Sequence, residues 1–174
     1  MMEEQIAGMP DRWARLWAPH RMEYLKGENR PLSANGVECP FCRIPTLSDE
    51  EGLIVARGEN AFVVMNLYPY NAGHLLIFAN RHVADLTDLA KKERDEISDL
   101  TAHAMVTLRK VSAPAGFNLG MNQGAISGAG VAEHIHQHVV PRWSGDANFM
   151  PLIGQTKVMP MLLSQTRDEL AAAW

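Results

Sequence analysis

Residues 134–140 read His134-Ile135-His136-Gln137-His138-Val139-Val140, with imidazoles at every second position and two β-branched residues behind them. Successive side chains of an extended strand point to opposite faces, so the spacing predicts one face with His134, His136 and His138 and another with Ile135, Gln137 and Val139. A helix would scatter the rings by about 100° per residue, and Val139-Val140 favours extended backbone. With an ordinary pKa of about 6.5, imidazole is largely neutral at pH 7 yet close to protonation. Three on one face point to metal binding or to acid–base and nucleophilic chemistry; the plain alternative is a chance cluster on a solvated strand.

Outward from this strand, the link GAISGAG at 124–130 contains Gly124, Gly128 and Gly130, which let backbone come close to a ligand and turn N–H groups toward an anion such as phosphate. Before it, FNLGMNQ at 117–123 reads as a strand ending at Asn122 and Gln123. LIVAR at 53–57, AFVVMNL at 61–67 and HLLIFA at 74–79 read as three more, the first two joined as a hairpin. Leu86, Leu89, Ala90, Ile97, Leu100, Ala104 and Leu108 recur at helical spacing and predict a long helix over 86–110, with Asp85 or Thr87 as its cap. MLLSQTRDELAAAW after Pro160 predicts a C-terminal helix. The expected fold class is α+β, a mostly antiparallel sheet of about five strands with one long helix and a C-terminal helix.

The chain has 174 residues, 47% hydrophobic and 21% charged, which suits one globular domain with its own core. Its net charge of −4 argues against a binder of duplex nucleic acid, which needs a basic stripe to neutralise phosphates. No apolar run approaches the roughly 18 residues of a membrane span and the start has no secretory pattern, so a cytoplasmic protein is expected. Residues 1–38 mix Trp13, Arg15, Trp17 and Tyr24 with the turn-forming GENRPLSANGV at 27–37, and read as an N-terminal arm with a short helix near 10–16. Residues 39–174 would then form the domain.

The two cysteines stand as Cys39-Pro40-Phe41-Cys42. This is the spacing of half a zinc knuckle, and tetrahedral zinc needs two further ligands, which His82 and His134 could supply. A pair of reduced thiols fits the same residues. A redox pair of the thioredoxin kind does not, because the segment is not expected between a strand and a helix.

The run from His134 to Val140 resembles the motif of the histidine-triad family of nucleotide hydrolases and transferases. Leu16-Trp17-Ala18-Pro19, Cys39-Pro40-Phe41-Cys42, NLYPYNAGHLLIFA at 66–79, Arg81-His82 and PRWSGDANFMP at 141–151 extend the similarity, and most resemble the bacterial diadenosine tetraphosphate phosphorylases. The resemblance implies that His136 is the nucleophile forming a nucleotidyl-histidine, that His138 assists the leaving group and that His74 completes the cluster. It implies Asn66 on the ribose, Asn122 on the phosphate, Gly128 and Gly130 in the phosphate loop, and Trp143 within a nucleotide-binding segment. In zinc-bearing relatives Cys39, Cys42, His82 and His134 would match the ligands. Gly130-Val131 stands where many relatives carry a Ser or Thr hydroxyl, for which Ser127 is the candidate replacement. The implied substrates are a purine nucleotide or dinucleoside polyphosphate and inorganic phosphate, and the implied assembly is a homodimer. Two other readings remain at this level: a family hydrolase that uses water, and a zinc-stabilised nucleotide-binding module with little catalysis.

Overall fold

The computed structural model describes residues 39–146, 156 and 158–174. The expected N-terminal arm, with Trp13 and Trp17, lies outside these residues, as does most of 147–157.

The alternating and β-branched runs form five strands: β1 (Ile54–Arg57), β2 (Ala61–Met65), β3 (Leu75–Ala79), β4 (Gly116–Met121) and β5 (His136–Arg142). They make one sheet in the order β1-β2-β3-β5-β4, every neighbouring pair antiparallel. The last strand is thus inserted between β3 and β4. Among the described residues three α-helices accompany it: α1 (Pro40–Arg43), α2 (Lys91–Ser112) and α3 (Leu163–Ala173). No helix among the described residues is long and apolar enough to cross a membrane.

The period-2 pattern gives the sheet two apolar faces. One carries Val63, Met65, Leu75, Ile77 and Val139 and is covered by Ile97, Ala104 and Leu108 of α2 and Leu170 of α3. The other carries Ile54, Phe62, Val64, Leu76 and Phe78, over which Phe41 and Ile44 pack. Leu76 pairs with His138 and Phe78 with His136, so both histidines lie on this second face. The site therefore sits on the side of the sheet away from the long helix.

Three local expectations change. The long helix starts at Lys91, because Asp85 caps a separate 3₁₀ turn at Leu86–Asp88, accepting from Thr87 N and Oγ1. Extended backbone at Leu89 and Ala90 then breaks the chain before α2, whose Glu93 carboxylate reaches back to the Ala90 N–H at 2.7 Å. Second, Cys39 precedes a single helical turn, α1, that four residues are too few to announce by periodicity. Third, β5 begins at His136, so His134 lies just ahead of the strand rather than within it.

Candidate functional site

Strand pairing brings His74, His136 and His138 together from segments more than sixty residues apart, and all three are buried. The hydrogen bonds fix which nitrogen of each ring carries the proton. His74 Nδ1 faces the backbone N–H of Tyr70 at 2.9 Å and the side-chain amide of Asn66 at 3.2 Å, both donors, so it accepts. The proton of neutral His74 is therefore on Nε2, which donates to His138 Nδ1 at 3.0 Å. That in turn puts the His138 proton on Nε2, a buried atom that makes no hydrogen bond among the described residues. His136 differs: its Nδ1–H donates to the His134 carbonyl at 2.9 Å, leaving a lone pair on Nε2. The rings of His136 and His138 are 4.8 Å apart. The site thus presents one bare imidazole nitrogen beside one N–H donor.

Burial pushes the pKa of His136 below the ordinary value, and burial with the neighbouring His136 pulls His138 down to about 4. Both are neutral at pH 7, which keeps the His136 lone pair free. A histidine held neutral binds fewer protons folded than unfolded, so its stabilising effect is full above about pH 6.5 and is lost as pH falls toward 4. The melting temperature should fall through that window, and His138→Asn should flatten the dependence of stability on pH by up to about 1.4 kcal/mol per pH unit, one proton's worth. Scanning calorimetry from pH 4 to 8 checks this; an unchanged slope in the variant would contradict it.

Aromatic rings wall the cluster. Phe41 lies 5.2 Å from His136 and 4.4 Å from Phe78, while Tyr70 stacks over His138 at 5.5 Å and 18°. Neither was singled out from the sequence. Phe41 was hidden between two cysteines, and Tyr70 sits in the turn 68–73, where no period marks a residue.

A second cluster adjoins the first. Cys39, Cys42, His82 and His134 place one ligand atom each within 4.8 Å of one another, the four residues the spacing suggested. His134 Nδ1 is 3.6 Å from Cys39 Sγ and 3.5 Å from Cys42 Sγ, and His82 Nδ1 is 3.2 Å from Cys42 Sγ. A tetrahedron with zinc–sulfur and zinc–nitrogen bonds of about 2.3 and 2.0 Å has sulfur–nitrogen edges of about 3.5 Å. The donor set therefore fits such an ion. His134 Nε2 donates to the Ala79 carbonyl at 3.0 Å, the outer contact that orients a ligating imidazole. His82 and His134 are brought together by the Ile135 N–H on the Val83 carbonyl, and Arg81 anchors the segment with a fork onto buried Glu93. Burial and Cys39 push the Cys42 thiol up to about 11. Without a metal it is therefore a protonated, unreactive thiol, which disfavours a redox role.

The other expected residues fall into two groups. Extending the β4–β5 register by one residue puts Asn122 level with His136; it is half-buried and its amide makes no hydrogen bond among the described residues. Gly128 is buried at φ +90°, a conformation glycine suits, and leads through half-buried Gly130 into the histidines. Asn66 instead engages the turn, with Oδ1 accepting from Tyr68 N and Nδ2 on His74. The Ser127 hydroxyl donates to the Gly124 carbonyl at 2.7 Å, so its proton is already committed. Trp143 lies beyond the end of β5, its indole N–H on the Ser112 carbonyl, and is not brought to the histidine cluster.

Comparison with known proteins agrees with this arrangement. The chain is 49% identical over 170 residues, 96% of its length and 87% of the relative's, to a protein of Mycobacterium tuberculosis named AP-4-A phosphorylase. It is 33% identical over 86 residues, 49% of this chain and 46% of the relative, to the asymmetrical bis(5'-nucleosyl)-tetraphosphatase of Schizosaccharomyces pombe. Among solved structures, a zinc-bound histidine triad family protein from Mycobacterium smegmatis shares the fold with a TM-score of 0.63 at 24% identity, over 80% of this chain and 94% of that one. Residues 49–145 match the HIT domain, and with the five-stranded antiparallel sheet and the histidines on β5 the chain belongs to the histidine-triad (HIT) family.

Proposed function

We propose that this protein is an enzyme that splits diadenosine polyphosphates by phosphorolysis, converting diadenosine tetraphosphate and inorganic phosphate to ADP and ATP. The observation that carries the catalytic part is the pair of tautomers, a bare Nε2 on His136 beside the N–H of His138 Nε2. The substrate and acceptor rest on the relative named AP-4-A phosphorylase.

In the first step His136 Nε2 attacks an α-phosphorus, and the bond from that phosphorus to the bridging oxygen breaks. ATP leaves with the electron pair and adenylate stays on the ring. His138 Nε2 donates to the departing oxygen, the approaching polyphosphate favouring its protonated form. In the second step a phosphate oxygen attacks the same phosphorus, the phosphorus–nitrogen bond breaks, ADP forms and His136 recovers its lone pair. Asn122 and the backbone of Gly128 and Gly130 would hold the phosphate, with the Asn122 amide supplying a donor where Ser127 is committed elsewhere. Asn66 would meet the ribose. Residues 39–174 form the catalytic domain, preceded by an arm at 1–38, and the chain works as a homodimer.

Cys39, Cys42, His82 and His134 would hold zinc, whose chemistry there is to fix a fold. The consequence for the chain's own residues is that His134, once fixed, holds its carbonyl where His136 Nδ1 donates.

The named tetraphosphatase supports a second reading, in which water replaces phosphate in the second step. Phosphorus NMR of diadenosine tetraphosphate treated with the protein separates the two. ADP and ATP in equal amounts, only when phosphate is present, are expected; AMP and ATP regardless of phosphate would overturn phosphorolysis.

A further inference from the structure

The turn 68–73, which carries the Tyr70 amide, is tied to the chain beyond β5 at one point. The Asn71 side-chain amide donates to the Asp146 carboxylate at 2.8 Å and to the Pro141 carbonyl at 3.1 Å. Asp146 is nearly buried, its side chain 10% exposed, and also accepts from Arg142 Nε and Nη2 and from the Trp143 N–H. Arg142 in turn donates to the Asn118 side chain on β4 at 2.7 Å, so the carboxylate is held from several sides. On the turn, the Asn71 carbonyl accepts the His74 N–H. Gly73, at φ +70°, lies so close to Leu108 and Pro141 that an added Cβ would stand 3.1 and 3.3 Å from them. Asn71 thus joins the turn to β5 and to Asp146 by two side-chain hydrogen bonds.

We infer that Asp146, acting through Asn71, is a positioning residue that holds the Tyr70 amide on His74 Nδ1 and thereby keeps the proton of His138 on Nε2. With the turn released, His74 Nδ1 loses its backbone donor, and the Asn66 amide, no longer oriented by the Tyr68 N–H, can turn its oxygen to the ring, which can then carry its proton on either nitrogen. Whenever His74 Nε2 is bare, it needs a proton from His138 Nδ1, and His138 then turns a bare nitrogen to the site in place of an N–H. Two negatively charged or lone-pair atoms would face each other there, the departing oxygen and that nitrogen. The effect on turnover rests on the function proposed above, whereas the effect on the tautomers rests on the hydrogen bonds alone.

Long-range proton–nitrogen NMR of the uniformly labelled protein reads ring tautomers directly, and kinetics on diadenosine tetraphosphate run beside it. Asn71→Ala and Asp146→Ala should shift His74 and His138 from the single tautomer to a mixture and lower kcat about tenfold, part of the roughly hundredfold or more that a general acid contributes, with KM changed less than about twofold. Asp146→Asn keeps an acceptor oxygen for Asn71 but loses the charge opposing Arg142. It should melt earlier, as Asp146→Ala does, yet retain the wild-type tautomers and kcat. A purely structural role would make activity follow melting temperature across the set. Wild-type tautomers in Asn71→Ala, a substitution that changes no charge, would overturn the inference even if Asp146→Ala fails to fold. If the wild-type protein shows the expected tautomers but does not turn over the dinucleotide, the proposed function fails and the positioning role stands.

Discussion

His136→Asn should lose turnover of diadenosine tetraphosphate by at least about ten thousandfold, the scale on which removal of a covalent nucleophile is felt. The expectation follows from position. His136 is the ring whose Nδ1 is occupied by a backbone carbonyl and whose Nε2 carries a lone pair beside a hydrogen-bond donor. No neighbour can replace it, since His74 Nε2 donates to His138 and His134 Nδ1 faces the thiols. Asn keeps a donor for the His134 carbonyl, so the fold and the affinity for AMP should persist, measured by circular dichroism and calorimetric titration. Wild-type protein quenched with substrate should carry one adenylyl group on the peptide containing His136, seen by mass spectrometry. Turnover within tenfold of wild type in His136→Asn would place the chemistry elsewhere.

The second large effect concerns the metal cluster. The protein should contain about one zinc per chain, and its removal by a chelator should lower the melting temperature by more than about 10 °C. Structural zinc contributes on the order of 10 kcal/mol to small domains that cannot fold without it, and less here, where the sheet has its own core. Several kcal/mol still correspond to roughly 10–20 °C at about 2–4 °C per kcal/mol for a chain of this size. Cys42→Ser should lose the metal and show the same loss, because a thiol pushed up to about 11 must give up its proton to ligate and serine cannot replace it. For the same reason metal binding should release protons and weaken at low pH. A metal-free protein whose melting temperature is indifferent to chelator would refute the assignment and leave two reduced thiols.

Much of this was legible in the chain because it is local. Alternation at 134–140 required a strand with His136 and His138 on one face, and the runs at 61–67 and 74–79 required two more, since side-chain direction in a strand depends only on position parity. Elements set by competition between neighbours were less legible. Helical spacing ran through Leu86 and Leu89, but Asp85 binding Thr87 N and Glu93 binding Ala90 N split that stretch into a turn and a later helix. His134 fits the alternation in sequence, yet lies ahead of β5.

By itself the sequence determined the α+β class, the strand that carries the nucleophile candidate and the two thiols with the imidazoles that could join them. All of these follow from residue type and short-range spacing. The tertiary structure alone decided how each imidazole is used. The proton on His74 depends on Tyr70 and Asn66 across a turn, the tautomer of His138 on a ring from another strand, and the hold on that turn on Asp146, seventy-five positions from Asn71. Hydrogen bonds between segments so far apart leave no period in the chain, because only strand pairing and turn docking bring their atoms within 3 Å or so.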